Sequence, residues 1–157
     1  MSSMPELLTA YHEAGHCVMA MMVGGNVEVA SISPDRSDRP LHGIVQVRWD
    51  RRPSFESECL VALAGLAAEM VYRQEPFHPG SVAEWSEDWG IAWDLAGLRV
   101  SDEEKRVRLL EALTVKIYQL FHRDYVWNAV AALADELLAH ETIYEPEIDE
   151  TVRFWLR

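Results

Sequence analysis

The sequence predicts a mainly α fold of the α+β class. A helix comes first, a small β-hairpin or sheet lies close behind it, and a bundle of helices fills the C-terminal part. Three observations carry this. Apolar residues recur at helical spacing between recognisable caps over most of the chain. Only two short stretches, within residues 27–49, alternate apolar and polar residues as half-buried strands do. The 157 residues, 49% hydrophobic, suffice for a single domain spanning 1–157 with its own core, and no repeat or linker divides them.

Ser3 opens the first helix as its N-cap, Glu6 three residues on completes a capping box, and Pro5 falls in the first turn, where its missing N–H is tolerated. Leu7, Leu8, Tyr11, Ala14, Val18 and Met22 make this helix largely apolar and therefore largely buried; Gly24-Gly25-Asn26 stops it. Val27 to Ser33 alternates and ends at Pro34. After polar residues 35–40, Leu41 to Trp49 reads as a second strand, with Val45, Val47 and Trp49 opposite Gln46 and Arg48. Pro53-Ser54 opens a second helix with Glu56 and Glu58 near its positive end. Its body, Cys59 to Met70, is apolar all round and rich in Ala and Gly, which predicts a central buried helix. A Pro/Gly loop covers Glu75 to Gly80, and helical spacing resumes near Ser86 and runs to Val100. Ser101 and Glu104 form a second capping box, which opens a long amphipathic helix to Phe121. A further helix runs from Asp124 to His140, and Pro146 starts a short last one.

Charge and composition exclude several classes of function. The net charge is −12 and no basic cluster is denser than Arg51-Arg52, so the footprint for nucleic acid is absent. The longest apolar run, Cys59 to Ala68, is about half the roughly 20 residues that span a bilayer, so no membrane insertion is expected. The N-terminus carries Glu6 and Glu13 early and no Lys or Arg, unlike a secretory signal. Two cysteines, Cys17 and Cys59, make no disulfide framework and fit a reducing cytosol, so a cytoplasmic location is expected.

Within the first helix, Tyr11-His12-Glu13-Ala14-Gly15-His16 contains the pattern H-E-x-x-H. Residues four apart share a helix face, so His12 and His16 can offer imidazole nitrogens to one ion. Glu13 stands one position on, where a carboxylate reaches a water on that ion. Zinc lowers the pKa of such a water to about 7, within reach of a carboxylate base. Five residues can match by chance in a chain with six His, but His and Glu inside an apolar helix are costly unless paired or bound. Ala14 and Gly15 are small enough to let another element approach closely. Cys17 points about 100° away from His16 and reads as packing. An open catalytic zinc site needs a third protein ligand. Spacing leaves Glu69, Glu84, Glu87, Asp88, Asp94, His42 and His78 as candidates.

Several blocks, in order, resemble the peptidase domain of the FtsH-type AAA proteases. Thr9-Ala-Tyr-His-Glu-Ala-Gly-His16 is similar to that family's metal helix. Val29 to Pro34 followed by Leu41-His-Gly-Ile-Val resembles its strand, loop and strand, and Ala62-Leu-Ala-Gly-Leu-Ala-Ala-Glu69 its Ala/Gly helix. Ser86-Glu87-Asp88, with Ala92 four residues on, resembles the segment carrying an aspartate ligand; Ala131 to Leu138 and Glu141 to Glu145 resemble the C-terminal helix and the turn after it. The resemblance implies His12, His16 and Asp88 as ligands of a Zn2+ cofactor, Glu13 as catalytic base, and Glu69 as a supporting acid. Asp94 fits less well, because Leu98 stands where a small residue is expected. Leu66 replaces a basic residue of the family and Met70 a second acid, and the 157 residues themselves hold no ATPase module or membrane helix, so a stand-alone peptidase-like domain is expected.

The function implied is a zinc metalloendopeptidase that hydrolyses short or unfolded polypeptides without ATP. Self-association is expected from the family's ring, and folded substrates would need a separate unfoldase or adaptor. The second strand, if it forms a sheet edge, offers backbone groups to a substrate chain. The alternative is a zinc-binding interaction module derived from such a peptidase and no longer proteolytic. Glu13 argues against it, since a structural zinc site has no use for a base and closes with four protein ligands.

Overall fold

The computed structural model describes residues 2–33, 43–75 and 83–157, with only the backbone for residues 83–86. His42 and His78 lie outside the described residues, as does the beginning of the second expected strand. The architecture is mainly α with a small sheet: six helices and three strands among the described residues.

Helix α1 covers Met4–Met22. Its cap is built as the sequence predicts: the Ser3 side chain accepts from the Glu6 amide at 3.3 Å, and the Glu6 carboxylate accepts in return from the Ser3 backbone. Such a cap is worth about 1 kcal/mol. At the other end Gly24 takes φ +99°, a conformation that side chains rarely tolerate, and turns the chain into strand β1, Asn26–Ser31. Strand β2, Ile44–Arg48, pairs antiparallel with β1. The pairing slips between Val27 and Val29, so Glu28 bulges outward and Val29, Ala30 and Ser31 all become buried. The bulge explains why strict alternation fails in this strand. A third strand, β3 (Thr142–Tyr144), lies on the other side of β1, giving the order β2-β1-β3. The sequence predicts only a turn there. Three residues are too few to show a period, and their pairing with β1 spans most of the chain.

Helix α2 covers Phe55–Arg73, capped by Ser54, whose hydroxyl accepts from the Ser57 amide at 3.0 Å. Helix α3 covers Ala83–Gly97 and so begins a turn before the periodicity near Ser86 indicates. Helix α4 covers Glu103–Phe121, and its cap is Asp102, not Ser101. The Asp102 carboxylate accepts from the amides of Glu104 at 2.9 Å and Lys105 at 3.3 Å, adding negative charge at the helix's positive end. Helices α5 (Asp124–His140) and α6 (Glu145–Trp155) follow, with Pro146 in the first turn of α6.

Helix α2 packs against α1, α3 and α4, while α1 also packs against α5 and the sheet. From Leu63 to Met70 every residue of α2 is buried, as an all-apolar helix demands. Phe121, Leu63, Leu66, Ile117 and Leu133 fill the interior; each such side chain contributes about 1.5–3 kcal/mol on leaving water. The contact between α1 and α2 is unusually close. A Cβ placed on Gly15 would lie 2.6 Å from the Ala68 Cβ and 2.8 Å from the Ala64 carbonyl oxygen. Among the described residues, no helix is long and apolar enough to cross a membrane.

Candidate metal centre

Two elements supply the candidate ligands: helix α1 gives His12 and His16 from one face, and α3 gives Asp88. The Asp88 Oδ2 lies 2.7 Å from His12 Nε2 and 3.1 Å from His16 Nε2, and the two Nε2 atoms are 3.2 Å apart. The centre is secluded: His12 and Glu13 are each 5% exposed.

The remaining ring nitrogens are held from behind. His12 Nδ1 donates to the Glu69 carboxylate at 2.7 Å, and His16 Nδ1 donates to the Val61 carbonyl oxygen at 2.6 Å. Neither acceptor has a proton to give, so in the neutral rings the protons sit on Nδ1 and both Nε2 atoms present lone pairs. Imidazoles held by a carboxylate or carbonyl in this way are oriented for metal ligation.

Two nitrogen lone pairs and a carboxylate oxygen facing one another within about 3 Å repel unless a metal cation or ring protons sit among them. Edges of 2.7, 3.1 and 3.2 Å leave a point about 2 Å from all three atoms on one side of their plane, the bond length zinc requires. Space exists for such an ion because α2 carries Gly65 at this level. A Cβ there would lie 2.5 Å from both Nε2 atoms, filling the cradle. Two imidazoles and one carboxylate, with no fourth protein donor in the cluster among the described residues, suit zinc with a position left open.

Electrostatics agree with the geometry. Burial alone would lower the pKa of His12, but hydrogen bonds with Asp88 and Glu69 and the nearby carboxylates raise it well above 6.5. Burial opposes charge on His16 too, and Asp88 again raises its pKa. Burial would push Asp88 up, yet the two imidazoles hold it far below the usual carboxylate range. Both shifts favour protonation of the rings when no metal stands among the three atoms.

Glu13 lies beside this cluster and not within it: its Oε1 is 3.9 Å from His12 Nε2. Of the other candidates, Asp94 is exposed and Glu87 half-buried, both outside the cluster, and the side chain of Glu84 is not among those described. Cys17 is fully buried and serves packing. Gly65 and Val61 escaped sequence reasoning. The Gly65 signal was present, since a glycine inside a helix costs about 1 kcal/mol against Ala and marks a close approach. The Val61 contribution is a backbone carbonyl and has no sequence signature. No protein-family model matches this chain, and neither does any curated protein.

Proposed function

We propose that this chain is a zinc-dependent endopeptidase acting on short or unfolded polypeptides, related to the FtsH-type peptidase domain that its sequence resembles. One observation carries the reading: His12, His16 and Asp88 converge on a single point, with the Glu13 carboxylate beside it and a glycine keeping it open. A zinc ion held there supplies Lewis acidity, which polarises a peptide carbonyl and makes water acidic near neutral pH.

The chain's own residues do the rest. Glu13 accepts the proton of the attacking water and hands it to the departing amine. Glu69 and the Val61 carbonyl fix the tautomer and tilt of the two imidazoles. Strand β2, at the edge of the sheet among the described residues, begins next to Glu13, where its outer backbone groups are suited to docking an extended substrate chain. A non-proteolytic zinc module calls for a closed set of four ligands and no base, and neither matches the three donors and Glu13. By the same resemblance, we expect self-association and delivery of folded substrates by a separate unfoldase or adaptor.

The test is zinc content together with hydrolysis of casein and short peptides. One equivalent of zinc is expected, with cleavage that a chelator abolishes and zinc restores. Glu13→Gln should keep the zinc and lose at least about 100-fold in rate. Zinc bound without cleavage would favour the interaction module; cleavage indifferent to chelator would rule out a zinc enzyme.

A further inference from the structure

We infer that Gly43 is a positioning residue for Glu13: its lack of a side chain leaves the space that the base occupies. Gly43 directly precedes β2. A Cβ built on it would lie 2.6 Å from Glu13 Cγ, 2.9 Å from Glu13 Cδ and 2.5 Å from the Ser31 carbonyl oxygen. The backbone of Gly43 is not in the left-handed region, so this glycine is required by space and not by its dihedral angles.

Something has to yield if a methyl group enters, and the nearest of the three atoms, the Ser31 oxygen, is fixed main chain, as is the helix that carries Glu13. Ser31 is fully buried in the central strand, paired with Ile44 on one side and Thr142 on the other. Its hydroxyl also meets the Thr142 hydroxyl at 2.8 Å and accepts from the Ser33 amide at 3.0 Å. Helix α1 has no slack, because Gly15 already brings it against Ala64 and Ala68. Of the two residues met, only Glu13 presents side-chain atoms, so it is the one that a methyl group displaces. Gly43 thereby sets the spacing between the base and the first residue of the edge strand. A shift of about 1 Å in a catalytic group lowers a rate about 100-fold.

The catalytic arm of this inference rests on the peptidase reading, whereas the contact itself does not, and the experiment separates the two. Thermal unfolding is measured for the unsubstituted protein, Gly43→Ala, Glu13→Ala and the double variant. Gly43→Ala should lower Tm by about 3 °C or more, and removing Cγ and Cδ of residue 13 should recover at least half of that loss. In peptide hydrolysis, Gly43→Ala should reduce kcat at least about tenfold while KM and zinc content stay unchanged. Additive losses in Tm, an unchanged kcat, or a raised KM with kcat intact would overturn the inference. Should Gly43→Ala fail to fold, folding of the double variant supports the inference. Failure of both would place the clash on Ser31 and refute it. A protein that cleaves no peptide defeats the peptidase reading, and the Tm cycle still decides whether Gly43 makes room for Glu13.

Discussion

His12 stands between two carboxylates, Glu69 on Nδ1 and Asp88 on Nε2, so protons and metal compete for one lone pair. Because the His12 and His16 pKa values are raised, their protonated forms stabilise the metal-free fold fully below about pH 6.5, and that stability fades as pH rises through the raised values. Asp88, lowered from 3.8, contributes above that pH and loses its contribution as pH falls towards its depressed value. Zinc needs both Nε2 atoms deprotonated, so its apparent affinity climbs over the range where the metal-free protein weakens. The Tm difference between zinc-loaded and chelated protein should therefore widen from pH 6 to pH 8; a constant gap would separate the imidazoles from the metal. Ligand and supporting acid are told apart by substitution. Asp88→Asn should remove zinc under conditions where Glu69→Gln weakens binding by about 10–100-fold, measured by titration against a chromophoric chelator. Loss of zinc in Glu69→Gln with retention in Asp88→Asn would reverse the two roles. At this scale His12, Glu13 and His16 were legible, because a spacing of four on a helix needs no tertiary information. Asp88 is 72 residues from His16, and spacing left it among seven candidates.

Helix α2 is the element around which the centre is arranged. It supplies the Glu69 carboxylate and the Val61 carbonyl to the rings, and its glycine provides the cradle. Gly65→Ala adds a methyl at 2.5 Å from both Nε2 atoms and leaves every ligand in place. Since Ala is about 1 kcal/mol better than Gly in a helix, the helix itself does not suffer. Zinc affinity should nonetheless fall at least about 100-fold, while far-UV circular dichroism keeps its helical signal; undiminished zinc binding would place the metal elsewhere. The helices were legible because their signals are local: caps at Ser3 and Ser54, an apolar stripe, a terminating glycine. Where a local signal had a competitor one residue away, as at Ser101 and Asp102, the carboxylate that reaches two amides won. Strand β3 had no local signal, being only three residues long and defined by its pairing with β1.

Across the whole molecule, the 157 residues contain no G-x-x-x-x-G-K-[ST] run with which to grip a nucleotide. Acting alone, the chain is expected to cleave an unfolded polypeptide without ATP and to spare a stably folded one, whose cleavable backbone is exposed only in its small open population. A destabilised and a stable variant of one substrate protein, offered with and without ATP, provide the measurement. Equal cleavage of both, or a need for ATP without any added partner, would contradict the expectation. The sequence by itself determined the helix order, the pairing of His12 with His16 and the place of Glu13, because periodicity and capping act over a few residues and survive in the bare chain. Only the tertiary structure brought Asp88, which spacing left among several and the resemblance singled out, against the two imidazoles, made β1 central in a three-stranded sheet, and showed that Gly65 and Gly43 leave space beside the imidazoles and Glu13. Those facts come from elements far apart in sequence meeting at close range. Such contacts are set by how whole helices and strands pack, and the packing is a property of the assembled core and not of any short segment.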